Sequence, residues 1–278
     1  MTESDPLPSH IVDQLIEERA VRLSANPRLW PWVKRIFYPL LGYRRACEIA
    51  DALADKSGRE AMDWAQDFLS MRTVETGIEH VPETGPCVIT ANHPGGIADG
   101  IAVWQALKAR RPDMVFFANR DAIRVCEGLA DVVIPVEWRE AHRNREKTRD
   151  TLKRAITAFQ EGRCIVVFPA GRMSAWDWRS LSLQDSDWQP TALSLARKYR
   201  TPVVSLGVRQ RMSLWFYSLG LIHEELRHMT VFHELLAKKG ARYRLLFGAP
   251  MDPLELAGDE QTASETLRRC SQGLAKQA

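Results

Sequence analysis

From Thr73 onward the chain alternates short β-branched, apolar runs with helical ones, and this alternation constrains its fold more than any other feature. The strand-like runs cover residues 74–79, 86–91, 114–118, 132–136, 164–168, 202–208 and 243–248. Helical patterns fall between several of them, near 101–111, 145–161, 191–199 and 223–239. Strands interleaved with helices bury a sheet between helical layers, so the expected class is α/β, with a mostly central mixed sheet flanked by helices. Before Thr73 the pattern is helical. Ile11, Leu15, Ile16 and Leu23 recur at helical spacing, Asn26-Pro27 interrupts, and the aromatic segment 29–41 follows. A third helical stretch runs to Met71, with a weak point at Ser57-Gly58. The expected organisation is a helical region over 1–72, able to associate with a membrane, and an α/β domain over 73–278.

Composition removes several classes. A net charge of +3 gives no reason to expect nucleic acid as a partner. Cys47, Cys87, Cys126, Cys164 and Cys270 have no CxxC spacing and read as small buried residues in a reducing compartment. The first twenty residues are acidic and lack an apolar core, so no secretory leader is expected. No run approaches the roughly 18 apolar residues that a spanning helix needs.

Residues 88–100, Val-Ile-Thr-Ala-Asn-His-Pro-Gly-Gly-Ile-Ala-Asp-Gly, carry the clearest chemistry. An apolar strand ends on Asn92-His93, a Pro94-Gly95-Gly96 turn follows, and Asp99-Gly100 opens a helical run. A histidine on a strand-end loop suits general-base work, with Asp99 holding its tautomer. Such a base contributes roughly 10²–10⁴ in rate. The plainer alternative is a loop histidine beside an aspartate that merely caps a helix.

From Val74 through Pro250 the chain resembles the glycerol-phosphate/lysophospholipid acyltransferase family. Val74-Glu75-Thr76-Gly77-Ile78-Glu79-His80-Val81-Pro82 is similar to that family's lead-in strand, and Asn92-His93 through Asp99 resembles its His-x4-Asp motif. Phe168-Pro169-Ala170-Gly171-Arg172-Met173-Ser174 resembles the Phe-Pro-Glu-Gly-Thr-Arg-Ser block, and Thr201-Pro202-Val203-Val204 the downstream Pro block. The His-Pro-Gly-Gly variant, with Leu226-Arg227-His228 and residues 233–240, looks like the subgroup labelled hemolysin-like or ornithine-lipid-related. The resemblance implies a bacterial membrane-lipid enzyme that moves an acyl group from acyl-CoA or acyl-carrier protein to a lysolipid hydroxyl. It implies His93 as base and Asp99 as its partner, and no bound cofactor or metal. Arg172, Gly171, Arg120, Arg139 and Asn92 are the implied substrate contacts, Arg139 because it closes the block Ile134-Pro135-Val136-Glu137-Trp138-Arg139. Gly95, Gly96 and Gly171 are candidates for an oxyanion site.

Three departures bear on this. Five residues separate His93 from Asp99 where the family has four. Six positions on a regular helix rotate two side chains about 240° apart, so the Pro94-Gly95-Gly96 turn has to absorb the extra residue. Ala170 stands at the family's Glu position and Met173 at its Arg position. An inactive lipid-binding or scaffold protein that retains the fold is therefore the competing expectation.

Other chemistries lack their signatures. His223, His228 and His233 are spaced by five, which places successive rings about 140° apart on a helix and argues against a metal site. GxSxG, Walker A and Rossmann glycine patterns are absent. Trp30, Trp32, Phe37 and Tyr38 with Lys34 and Arg35 have the composition of an interfacial helix, and residues 214–222 form a second apolar run. Residues 138–154 carry seven Lys/Arg against three Asp/Glu, suited to anionic lipid headgroups or an acidic acyl-carrier protein. The expected location is cytoplasmic, peripheral on the inner face of the cell membrane.

Overall fold

The structure, a computed structural model, describes residues 9–137, 144–177 and 179–278. Five helices come first: α1 (Ile11–Glu17), α2 (Val21–Ser24), α3 (Trp30–Leu40), α4 (Tyr43–Leu53) and α5 (Gly58–Leu69). Then follow β1 (Arg72–Thr76), β2 (Cys87–Ala91), α6 (Ile97–Leu107), β3 (Val115–Asn119), α7 (Asp121–Val125), β4 (Val133–Val136), α8 (Arg145–Gln160) and β5 (Cys164–Val167). A hairpin of β6 (Ala175–Asp177) and β7 (Ser182–Gln184) leads to α9 (Thr191–Tyr199) and β8 (Val203–Arg209). The chain closes with α10 (Leu214–Ile222), α11 (Glu224–Met229), α12 (Val231–Leu236), β9 (Arg242–Met251) and α13 (Glu260–Gln277).

Seven strands make one sheet in the order β1-β9-β8-β2-β5-β3-β4. Neighbours are parallel except at β8–β9, so β9 and β1 run against the other five. The mixed central sheet expected from the alternation is what forms. Every residue of β2 is buried, as a parallel strand covered on both faces requires. Its side chains alternate between layers. Cys87, Ile89 and Ala91 join the core under α6, whereas Val88 joins Ile165, Val203, Ala158 and Leu267 in the core of the opposite face. A third cluster, including Val12, Ile16, Trp30, Val33, Ala46 and Ala50, packs the N-terminal helices together with Met229 of α11.

The connection out of β2 crosses β5 to reach β3, while β8 lies on the other side of β2. The carboxyl end of β2 is thus where strand order reverses, the place where open α/β sheets form ligand crevices. His93 lies two residues beyond that end.

Local details differ from the sequence expectation for identifiable reasons. The first strand stops at Thr76 because Gly77 turns to φ +74° and Ile78–His80 winds into a 3₁₀ turn. Residues 223–239 do not form one helix. The segment breaks at Thr230, whose hydroxyl donates to the Arg227 carbonyl at 2.7 Å. The weak point at Ser57-Gly58 is a helix start, closed by a capping box between Ser57 and Glu60.

Arg111 locks the amino-terminal edge of the sheet. Its buried guanidinium donates to Asp113 Oδ1 at 2.8 Å and Oδ2 at 2.7 Å, to the Pro82 carbonyl at 2.9 Å and to the Gly162 carbonyl at 3.2 Å. Asp113 in turn accepts the Cys164 N–H at 3.1 Å, so one fork joins the entries to β2, β3 and β5. Arg111→Met keeps the volume but orphans these acceptors. The expected loss is roughly 3 kcal/mol in unfolding free energy, read from urea denaturation at constant m-value.

Candidate active site

The site starts from a tether. Asn92 Nδ2 donates to the Val208 carbonyl at 2.9 Å, and Asn92 Oδ1 accepts the Val208 N–H at 2.7 Å. This double bond to β8 fixes the backbone immediately before His93, so the Asn92 amide serves the sheet. The expected substrate contact at Asn92 is thus a residue whose amide is tied to β8 on both its nitrogen and its oxygen.

The Pro94-Gly95-Gly96 turn then absorbs the extra residue. Gly96 takes φ +69° and ψ −143°, a conformation open to glycine, and α6 begins at Ile97. Asp99 falls in the first turn of α6, fully buried, at the helix end that favours negative charge. Its Oδ2 lies 3.0 Å from His93 Nδ1 and accepts the Gly95 N–H at 2.8 Å. A carboxylate only accepts, so His93 Nδ1 carries the proton, and in the neutral imidazole Nε2 is the acceptor. The His93 side chain is 19% exposed, and its ring stacks on Phe168 with centroids 4.4 Å apart. The five-residue spacing therefore closes into a dyad at hydrogen-bond distance.

A second buried carboxylate holds the His93 main chain, and local sequence pattern does not reveal it. Asp185 Oδ1 accepts the His93 backbone N–H at 3.3 Å and the Ser174 hydroxyl at 2.5 Å, while Oδ2 accepts the Trp188 indole N–H at 2.9 Å. Ser174 N–H donates to the His93 carbonyl at 2.9 Å. The segment around the β6–β7 hairpin is thus bonded to the histidine main chain from both sides. Burial pushes the Asp185 carboxyl up, against the pull of the Ser174, Trp188 and His93 donors.

The glycines divide. Gly95 N–H is committed to Asp99 and Gly171 N–H to the Phe168 carbonyl at 3.0 Å, so neither serves as the expected oxyanion donor. Gly96 N–H has no acceptor among the described residues and remains available. A methyl at Gly96 would meet Met212 Cε at 2.5 Å and Met173 Sδ at 3.3 Å. Met173, standing where the resembled family has an arginine, therefore packs over the Pro94-Gly95-Gly96 turn. Arg172 is exposed on the loop between Phe168, stacked on His93, and Ser174, bonded to it. Arg120 is not brought to this cluster by any bond. Its Nη2 pairs with Asp150 of α8 at 3.0 Å. Arg139 lies outside the described residues.

Asp185→Asn can present only one oxygen, so an N–H faces either Trp188 or the Ser174–His93 pair. The expected cost is about 1–3 kcal/mol of stability near neutral pH. A carboxyl whose folded pKa lies above its unfolded value of about 3.9 contributes stability that falls as pH rises through the folded value. Urea unfolding across a pH series should show the wild-type advantage over Asp185→Asn shrinking upward through that window.

With this geometry in hand, the chain can be placed among known proteins. The family model described as Acyltransferase matches residues 72–209, which span β1 through β8 and include the dyad. A lyso-glycine lipid O-acyltransferase of Phocaeicola vulgatus is 26% identical over 203 residues, covering 71% of this chain and 70% of that one. A lyso-glycine lipid O-acyltransferase of Bacteroides thetaiotaomicron is 24% identical over 203 residues, covering 71% and 72%. The crystal structure of the 1-acyl-sn-glycerophosphate (LPA) acyltransferase PlsC from Thermotoga maritima shares the fold. Its TM-score is 0.50 at 16% identity, covering 94% of this chain and 97% of that one. The chain belongs to the acyltransferase family.

Proposed function

We propose that this protein transfers a fatty acyl group from a thioester, acyl-CoA or acyl-carrier protein, to the hydroxyl of a lysolipid. The observation that carries the reading is the His93 Nδ1–Asp99 Oδ2 contact of 3.0 Å, which leaves Nε2 to act as the base. Nε2 takes the acceptor hydroxyl proton as the oxygen attacks the thioester carbonyl. Asp99 stabilises the imidazolium that forms. The tetrahedral oxyanion is bound by the uncommitted Gly96 N–H. Collapse breaks the carbon–sulfur bond, and the departing thiolate takes the proton from His93. Atoms and charge balance without a covalent enzyme intermediate.

The acceptor carries an anionic headgroup, and Arg172 is the cation placed to hold it. A guanidinium pairs equally with carboxylate and phosphate forks. The two relatives are named for lyso-glycine lipids, which favours an amino-acid lysolipid over a phosphate one.

The enzyme works at a bilayer surface. Among the described residues no helix is long and apolar enough to cross a membrane. Two helices nevertheless leave large apolar side chains uncovered. Trp32 is 64% exposed on α3, and Leu214 and Leu221 are 82% and 79% exposed on α10. Phe37, Leu40 and Leu41 meet Trp215 and Leu219 in one small pocket, so the two apolar faces adjoin. Such a surface fits the interfacial zone of a membrane.

The test is transfer of labelled acyl groups from acyl-CoA and acyl-carrier protein to lyso-glycine lipid and to lysophosphatidic acid. His93→Ala is expected to lower kcat by about 10²–10⁴, and Asp99→Asn by roughly 10² or more. Undiminished transfer by His93→Ala would falsify the mechanism. Arg172→Ala should raise KM about ten-fold for the anionic acceptor and leave a headgroup methyl ester unchanged. Trp32→Glu with Leu221→Glu should abolish co-sedimentation with vesicles while transfer to detergent-dispersed acceptor persists. Vesicle binding equal to wild type would remove the membrane surface from α3 and α10.

A further inference from the structure

A tyrosine of β9, in the core shared with α6, lies beside the dyad. Tyr243, the second residue of β9, is completely buried, and its hydroxyl has no hydrogen-bond partner among the described residues. Asp99 Oδ1, the carboxylate oxygen not used by His93, is likewise buried and without one. Both oxygens converge on Gly95. A side-chain carbon built there would overlap Asp99 Oδ1 and the Tyr243 hydroxyl together. The missing Cβ of Gly95 therefore leaves a space in which a phenol and a carboxylate oxygen confront one another with no water-exposed alternative. One is a donor and the other an acceptor, and two buried orphans of opposite kind at one point are each other's natural partner.

We propose that Tyr243 is a positioning residue for the dyad: its hydroxyl donates to Asp99 Oδ1 and holds the carboxylate in the orientation that presents Oδ2 to His93. The proposal rests on the reading of His93 as the base. Burial, with the negative charge of Asp99 added to it, pushes the Tyr243 phenol well above the usual range, so it remains a donor. The other charged or titratable groups around the carboxylate are less direct. Tyr217 of α10 and Lys238, after α12, feel its charge, but Tyr217 is bonded to the Met212 N–H and Lys238 to the Arg211 carbonyl. Asp185 acts on the His93 backbone instead. Among these, Tyr243 is the one whose hydroxyl shares with Oδ1 the space in front of Gly95. The arrangement also gives Gly95 a reason beyond chain flexibility, because it donates its N–H to Oδ2 and vacates the space in front of Oδ1.

Tyr243→Phe removes the hydroxyl and keeps the packing. Its kcat should fall about ten-fold or more with KM unchanged. The thermal midpoint, measured alongside, establishes that the variant folds. A second readout does not depend on turnover. The His93 Nδ1–H proton, assigned with His93→Gln, should resonate downfield in wild type through its bond to Asp99. In Tyr243→Phe it should move upfield or be lost to exchange, as in Asp99→Asn. Wild-type kcat together with an unmoved Nδ1–H signal in Tyr243→Phe would overturn the proposal and leave Tyr243 a packing residue. Absence of acyl transfer by wild type would instead sink the functional reading, while the proton signal still decides the place of Tyr243.

Discussion

Much of the site depends on one buried carboxylate. Asp99 is fully buried and holds both His93 Nδ1–H and the Gly95 N–H on a single oxygen. A buried charge is costly unless it is paired and bonded. The surrounding construction supplies those bonds: the first turn of α6, the glycine turn and the histidine ring. In return the carboxylate fixes the ring tautomer, which decides which nitrogen faces a substrate. The extra residue between His93 and Asp99 is accommodated before the helix begins. Gly96 at φ +69° turns the chain, so the two side chains meet without sharing a helical face.

The departures from the resembled family's second block fit the same construction. Ala170 is buried in the core shared by β5, α8 and α9. Met173 packs against the space above Gly96, beside Met212. Apolar side chains packed on the Gly96 turn lower the local polarity there, where electrostatic interactions are stronger than in water. The connection to this loop passes instead through Asp185, which joins Ser174, Trp188 and the His93 N–H. Support reaches the histidine through its main chain as well as its ring.

What is legible from sequence follows from distance along the chain. His93, Asp99 and the glycine turn lie within one short block, and β2, β5 and β8 announce themselves by buried apolar runs. The tie of Asn92 to the sheet is not legible because its partner, Val208, is 116 residues away. Asp185 is 92 residues from His93, and it sits in a polar stretch whose pattern reads as an ordinary loop. Tyr243 looks like one more aromatic in a strand, since nothing local tells a phenol that faces Asp99 from one that fills a core. The terminal helix α13 escapes for another reason. Its buried face includes Ala263, Ser264 and Ser271 beside Leu267, small or polar residues that weaken the apolar period. Ser271 donates to the Thr90 carbonyl at 3.0 Å, a bond that only the assembled sheet makes useful.

The segment that follows β8 joins the uncovered apolar surface to the dyad. Met212 lies over Gly96, and Ser213 caps α10 through its hydroxyl, which accepts the Phe216 N–H. Glu234 of α12 accepts the Ser213 N–H at 2.7 Å and bonds its hydroxyl as well, while Lys238 donates to the Arg211 carbonyl at 2.6 Å. The helix that carries Leu214 and Leu221 is therefore anchored, at its first turn, to the residue that packs on the catalytic turn. Through these contacts the apolar surface and the base form one packed unit. A displacement of α10 would therefore be felt at Gly96 and, through the turn, at the His93–Asp99 pair.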